Sequence, residues 1–229
     1  MLMKEYKVIL LDVDGTLLDF NQSERLGISK VLNHYGIPVT EELLRLYHQI
    51  NDGFWQAFNR GEIGKEELCR RRFAEFFGRL GINVQGDEAE EIYRKFLDES
   101  ALLLPGALET CQYLSERYAC YVVTNGTSQT QYRRLAISGL DRYMKGIFVS
   151  EDAGSQKPQK AYFQYCFSRI PESGPQGMLL VGDSLYSDIL GGIQAGIDTC
   201  WVNPEGLTAP EEIQADYTIR EISELRNIL

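Results

Sequence analysis

Short apolar runs recur along the chain, and segments with a helical spacing of apolar positions separate most of them. The first run, Tyr6–Leu11, is largely apolar and partly β-branched, and it ends in polar residues and a glycine. This pattern is typical of a strand buried on both faces of a parallel sheet. Five later segments predict further strands: Cys120–Val123, Gly146–Val149, Met178–Val181, Ile197–Val202 and Tyr217–Ile219.

Amphipathic segments between these runs predict helices at Ala107–Tyr118, Ser128–Ser138, Lys160–Ile170 and Ser187–Ala195. Alternation of strand and helix predicts an α/β fold with a doubly wound parallel sheet. Residues 20–103 interrupt the alternation with helical patterns only, at Ser23–Tyr35, Thr40–Asn59, Lys65–Leu80 and Asp87–Leu103. Thr40 and Asp87 precede glutamates and are predicted to cap their helices. We therefore predict an α/β core of residues 1–19 and 104–229 and an inserted α-helical domain of residues 20–103.

Composition and charge exclude several classes of protein. The 229 residues are 44% hydrophobic and 24% charged, close to the average of globular proteins, so a disordered or collagen-like chain is excluded. A net charge of −10 repels nucleic acid and anionic membranes, and neither is expected as a partner. The apolar runs are far shorter than a bilayer span. Five cysteines without a C-x-x-C spacing indicate reduced thiols, and we expect a cytoplasmic protein.

Polar residues follow the first predicted strand in the order Asp12-Val13-Asp14-Gly15-Thr16. Two carboxylates two positions apart in extended chain point to the same side. Open α/β sheets bind ligands at the carboxyl ends of their strands. An ordinary turn would explain this pentapeptide taken alone, because Asp, Gly and Thr are common in turns.

The later strand ends favour a site over a turn. Thr124–Gly126 follows the second strand and suits anion binding by backbone N–H groups. Asp183 and Asp188 follow the fourth strand, and Lys157 lies between these segments. Pro158 is predicted in the first turn of the next helix. Each signal alone is commonplace, whereas the series acid, hydroxyl, lysine and acid in strand-end positions indicates one site.

In combination, these motifs resemble those of the haloacid dehalogenase-like hydrolase superfamily. The matching segments are Asp12–Thr16, Thr124, Lys157 and Gly182–Asp188. The match spans nearly the whole chain, because the inserted helices fall where one class of cap domain lies in that superfamily. The resemblance implies a Rossmann-like catalytic core and a mobile helical cap.

The resemblance also implies catalytic roles. Asp12 would attack phosphorus and form an aspartyl-phosphate, and Asp14 would serve as general acid and then as general base. Lys157 would offset charge in the transition state, together with Thr124. True dehalogenases of the superfamily lack an acidic residue two positions after the nucleophile, so Asp14 favours a phosphatase. The sequence leaves the protonation state of Asp14 open.

The same resemblance implies a divalent cation, Mg²⁺ or alternatively Mn²⁺, because hard oxygen ligands suit these ions. The implied metal ligands are Asp12, Asp14 through its backbone carbonyl, Asp183 and Asp188. The implied phosphate-binding residues are Thr124, Asn125, Gly126 and Lys157.

The inserted domain and one stretch of the core are similar to those of the bacterial pyrimidine 5′-nucleotidases of the superfamily. The similarity lies in Asn51-x-x-x-Trp55, Gly61, Arg72-Phe73 and the stretch Asp183–Asn203. It implies a nucleoside monophosphate as substrate, with Asn51, Trp55 and Arg72 as candidate substrate contacts. An aromatic side chain would stack on a base. Equally, Trp55 fits a bundle core, and Arg72 fits a structural role.

Several alternatives stay open at this point. The same core is also compatible with two other enzymes: a phosphatase of sugar phosphates or phosphoglycolate, and a phosphosugar mutase. A non-enzymatic sensor would be expected to lack one of the acids, but all of them are present. A receiver domain would not need the insertion. The substrate is expected to be a small phosphorylated metabolite, and either a monomer or a homodimer is compatible with the sequence.

Overall fold

A computed structural model describes residues 5–171 and 174–229. Over these residues, six strands form one sheet: β1 Val8–Leu11, β2 Ala119–Thr124, β3 Gly146–Val149, β4 Met178–Gly182, β5 Asp198–Val202 and β6 Tyr217–Ile219. The strand order is β3-β2-β1-β4-β5-β6, and every neighbouring pair is parallel. The prediction of a doubly wound α/β fold is confirmed.

Helices α1 to α4 lie between β1 and β2, at Phe20–His34, Glu41–Asn59, Lys65–Arg79 and Gly86–Glu99. Helices α5 to α9 lie at Ala107–Ser115, Ser128–Ser138, Ser150–Ala153, Lys160–Phe167 and Gly191–Ala195. A π-helix at Leu185–Leu190 runs directly into α9. No helix of the described residues is both long enough and apolar enough to span a membrane.

The apolar runs form the sheet because both of its faces are covered. All four residues of β1 are buried. Ile9 and Leu11 pack into an apolar cluster on one face that includes residues of α5. Val8 and Leu10 pack into a second cluster on the other face that includes residues of α8. A strand of a parallel sheet buried on both faces needs apolar residues at every position, and β1 has them.

Several predicted helix ends differ from the structure. Thr40 caps α2 as predicted, its Oγ1 accepting from Leu43 N at 3.3 Å. The prediction that Asp87 caps α4 is wrong, because α4 already begins at Gly86. Asp87 lies in the first turn of the helix, where the helix dipole favours an acidic side chain. The predicted extension of α4 to Leu103 is also wrong, since Leu103 forms a bridge with Leu18.

In the α/β region, three predicted helices are shorter or begin earlier. Two end early: α5 stops at Ser115 and α8 at Phe167. Pro158 lies two residues before α8, so its predicted place in the first helical turn is wrong. The predicted helix Ser187–Ala195 divides into the π-helix and α9.

The chain divides into two compact units, one of residues up to Phe20 together with Ala101–Leu229, and one of Asn21–Ser100. The second unit consists of α1 to α4 and has an aromatic interior. Tyr47 packs on Phe73 and Tyr93 with ring centroids 5.0 and 5.7 Å apart. These rings are fully buried, so the helical unit has a core of its own.

A chain of buried polar groups crosses the interior of the helical unit. Arg72 binds both oxygens of Glu90, at 2.7 and 2.8 Å, and donates to Asn51 Oδ1 at 3.0 Å. Asn51 in turn donates to Glu24 at 2.6 Å. The Arg72 guanidinium also lies 4.7 Å from the centre of the Tyr93 ring. A buried ion pair of this kind needs every partner in place, because a charge left alone is costly.

Replacing Arg72 with Met is therefore expected to lower the free energy of unfolding by about 3–5 kcal/mol, because Glu90 would be left buried without its main partner. The neighbouring Arg71 provides the matched control, since its ion pair with Glu67 is about half exposed. Arg71→Met should cost less than about 1 kcal/mol. Urea unfolding followed by circular dichroism measures both, and equal effects of the two changes would contradict this account.

Candidate active site

The candidate site residues gather at the carboxyl ends of β1, β2 and β4. Asp12 follows β1, Thr124 is the last residue of β2, and Asp183 follows β4. The chain builds the sheet outward from β1 through β2 and β3, and then continues from β4 on the opposite side of β1. Ligands of open α/β sheets bind where the order reverses in this way.

Lys157 is the buried cation of this site, with a side chain 1% exposed. Its Nζ donates to Asp12 Oδ1 and Asp188 Oδ1, each at 2.6 Å, and to the Val123 carbonyl oxygen at 2.8 Å. Burial acts to lower the pKa of Lys157, but the two carboxylates outweigh it and raise the pKa above its ordinary value. Lys157 therefore stays charged inside the protein.

Asp183 forms a cluster with the two carboxylates that bind this cation. One oxygen from each of Asp12, Asp183 and Asp188 lies within 4.8 Å of the others. Burial raises the pKa of Asp12, against the attraction of Lys157. Burial, reinforced by repulsion from Asp12 and Asp188, also raises the pKa of Asp183 well above its ordinary value. A hard divalent cation relieves both effects and prefers carboxylate oxygens, so this donor set fits Mg²⁺.

Two glycines allow this close approach of loops. Gly15 has φ +82°, and a Cβ there would overlap the carboxylate of Asp183. A Cβ at Gly182 would likewise overlap the carboxylate of Asp188. Only glycine has no such atom, and at positive φ it also avoids backbone strain.

Neighbouring polar groups hold the surrounding loops in place. The Asn125 side chain pairs with the backbone of Lys157 through two hydrogen bonds of 2.9 Å. Asp188 Oδ2 accepts from the backbone N–H of Ser184 at 3.1 Å, and Trp201 donates from Nε1 to the carbonyl of Asp183 at 2.8 Å. The predicted segments that carry the acids, the lysine and Asn125 are thus brought together.

The carboxylate of Asp14 faces α6. Its Oδ1 accepts from Arg134 Nη1 at 2.5 Å and its Oδ2 from Gln131 Nε2 at 2.6 Å. The same Gln131 nitrogen lies 3.0 Å from Thr124 Oγ1. The N–H of Gly126, which is predicted to bind phosphate, donates to Thr124 Oγ1 at 3.0 Å.

Gln131 and Arg134 were not predicted from the sequence, although both are 1% exposed and both bind Asp14. They lie within the amphipathic segment Ser128–Ser138, where polar residues ordinarily face solvent. Their spacing of three places them on one face of the helix, but the sequence does not show that this face is buried.

The predicted substrate contacts lie in the helical unit, away from open solvent. Asn51 is 2% and Arg72 4% exposed, and their polar groups bind each other, Glu24 and Glu90. These bonds give Asn51 and Arg72 structural roles inside the unit, and their contact with a substrate stays a prediction. Trp55 is partly buried and packs edge-to-face on Phe58, 5.7 Å between ring centres.

The fold and this site define a hydrolase. The family model of the haloacid dehalogenase-like hydrolases matches residues 6–196, and the chain belongs to that family. Among the relatives of this chain is the haloacid dehalogenase-like (HAD) hydrolase YfnB of Bacillus subtilis, which is 43% identical over 99% of this chain and 97% of its own length. The crystal structure of YfnB bound to magnesium superposes with a TM-score of 0.94 over 99% of both chains.

Two further relatives are named pyrimidine 5′-nucleotidases. PynA of Streptococcus pneumoniae is 33% identical over 98% of this chain and 95% of its own length. YjjG of Escherichia coli is 32% identical over 96% of each chain. The resemblance to the superfamily stated from the motifs is confirmed.

Gly15→Ala is expected to weaken binding of a divalent cation at least tenfold, because the added Cβ displaces the Asp183 carboxylate from the acidic cluster. Gly154→Ala is the matched control in the same unit: Gly154 also has positive φ, +65°, but a Cβ there meets no atom within 4 Å. Both changes carry the backbone strain, and only the first moves a carboxylate. Calorimetric titration with Mg²⁺ measures the affinities; equal affinities in the two variants would refute the role of Gly15.

Proposed function

We propose that the protein hydrolyses phosphate monoesters through an aspartyl-phosphate on Asp12, with Mg²⁺ bound at the acidic cluster. The observation that carries this proposal is the buried Lys157 ammonium, bonded to both Asp12 and Asp188, with Asp183 beside them. A carboxylate approaching a phosphate dianion meets strong repulsion, which the Lys157 ammonium and the divalent cation that the acidic cluster would hold both reduce. The family membership and the magnesium bound to YfnB support the same chemistry.

In the first half-reaction, an oxygen of Asp12 attacks phosphorus and the bond from phosphorus to the ester oxygen breaks. The leaving oxygen takes a proton from Asp14. In the second half-reaction, Asp14 takes a proton from water, whose oxygen attacks the same phosphorus. The Asp12–phosphorus bond then breaks, which releases inorganic phosphate and restores the free carboxylate.

Other residues of the site hold the phosphoryl group. The Lys157 ammonium is fixed by its carboxylate partners and offers its charge to the phosphoryl oxygens. The hydroxyl of Thr124 lies at the end of β2 and is the proposed hydrogen-bond donor, with Asn125 holding the loop against Lys157. Asp12, Asp183, Asp188 and the carbonyl of Asp14 would hold Mg²⁺, which supplies positive charge to the phosphoryl oxygens.

We further propose a pyrimidine nucleoside monophosphate as the substrate, and the helical unit Asn21–Ser100 as the cap domain. PynA and YjjG support this substrate, because both align with nearly the entire chain and are named pyrimidine 5′-nucleotidases. The buried network around Arg72 gives this unit a fixed interior.

A panel of phosphate esters assayed in Mg²⁺, with release of inorganic phosphate as the readout, tests the substrate. We expect dUMP and UMP to be hydrolysed with higher kcat/KM than phosphoglycolate or glucose phosphates. Addition of EDTA should abolish release from all of them, because Asp12 would face the ester without the cation. Preferential turnover of phosphoglycolate would overturn the nucleotide assignment and leave the phosphatase chemistry intact.

Asp12→Asn is expected to abolish turnover, because an amide is not a competent nucleophile. Asp14→Asn should leave a slow enzyme in which the phosphoryl group stays on Asp12, since no base activates water. Intact-protein mass spectrometry after mixing with substrate detects that intermediate. Asp141→Asn, at an exposed position of the same unit, is the control and should retain full activity. Near-normal turnover by Asp12→Asn would refute the mechanism.

A further inference from the structure

Gln131 connects the residue proposed to bind phosphate with the residue proposed to transfer protons. Its Nε2 lies 2.6 Å from Asp14 Oδ2 and 3.0 Å from Thr124 Oγ1, and the side chain is almost fully buried. Because Arg134 pairs with the other Asp14 oxygen, the carboxylate accepts hydrogen bonds on both sides. An ionised carboxylate only accepts, so in this state of Asp14 the amide nitrogen of Gln131 faces it and the amide oxygen points away.

These contacts leave the Thr124 hydroxyl free only to donate its own proton. A hydroxyl has one proton to donate and two lone pairs with which to accept. The backbone N–H of Gly126 and the Nε2 of Gln131, each 3.0 Å away, use the accepting side. The Thr124 proton is thus directed to an acceptor other than these two groups, and an oxygen of a phosphate ester is such an acceptor.

Packing alone does not explain a glutamine at this position. Its Oε1 is buried and has no hydrogen-bond partner among the residues that the structure describes. An unpaired buried acceptor destabilises a fold, and an apolar side chain of similar length would avoid that cost. Gly126 also makes room for the amide, because a Cβ there would overlap it.

We propose that Gln131 is a positioning residue of this site: its amide group fixes the Thr124 hydroxyl as a donor to the phosphoryl group and holds the Asp14 carboxylate beside it. Its assigned role is to hold Thr124 and Asp14, not to bind the substrate. The inference rests on the proposed phosphatase function and adds to it a residue that acts through Thr124 and Asp14.

The test compares Gln131→Met with Gln129→Met, a matched change two residues earlier on α6 at an exposed position. Calorimetry measures the affinity for inorganic phosphate in the presence of Mg²⁺, and steady-state assays with dUMP measure kcat and KM. Gln131→Met should weaken phosphate binding and lower kcat/KM by about tenfold, the loss expected when a hydrogen bond to a charged group is misdirected. Gln129→Met should match the wild type.

A double-mutant cycle with Thr124→Val separates positioning from a general loss of structure. If Gln131 acts through the hydroxyl, Gln131→Met should change phosphate affinity little once that hydroxyl is gone. An equal loss in both backgrounds would overturn the inference.

If Gln131→Met does not fold, Gln131→Glu provides the second test. A glutamate oxygen would accept the Thr124 proton and turn it away from phosphate, so phosphate affinity should fall here too, and retained affinity would overturn the inference. A wild type that hydrolyses none of the phosphate esters would refute the proposed function instead. An active wild type with Gln131→Met equal to Gln129→Met would refute only the role of Gln131.

Discussion

The buried ammonium of Lys157 is the contact on which the geometry of the site depends. It binds a carboxylate after β1, a carboxylate of the π-helix that follows β4, and a carbonyl of β2, so one side chain ties three segments together. Three carboxylates around one ammonium leave two net negative charges, and a divalent cation has the charge that balances them. Without Lys157, the carboxylates would repel one another in a buried setting, which is costly for any fold.

The sheet makes this contact possible, because its register aligns the carboxyl ends of β1, β2 and β4 with one another. Leu11 lies opposite Val122 of β2 and Val181 of β4. The residue after each of these positions is therefore at the same height, and the backbone N–H of Asp12 donates to the carbonyl of Val181 at 2.9 Å. Apolar packing on both faces fixes that register, so burial far from the site determines where its charges meet.

Much of the fold follows from the pattern of apolar residues. The strands were predictable because a strand buried on both faces needs a continuous apolar run, and such runs are short and distinct in this chain. Some helix ends were predictable: Thr40 marks the start of α2, and both ends of α6 match the prediction. The end of α4 was not, because the residues after Glu99 are drawn into backbone contacts with residues 18 and 19, and no local pattern contains that information.

The site was predictable where a residue type has few other uses at a strand end, as with Asp12 and Lys157. Polar residues that serve the site from within a helix were not, because a buried polar face and a solvated one have the same sequence pattern. Arg71 and Arg72 show the limit most directly. They are adjacent and chemically identical, yet one pairs at the surface and the other lies in the core. The apolar spacing of α3 places Arg72 on its buried face, but the partner Glu90 that makes this burial tolerable is brought near only in the folded chain. Gln131 is a second buried polar residue of this kind. Its role depends on Asp14, 117 positions away in the sequence, and packing alone does not explain its unpaired oxygen.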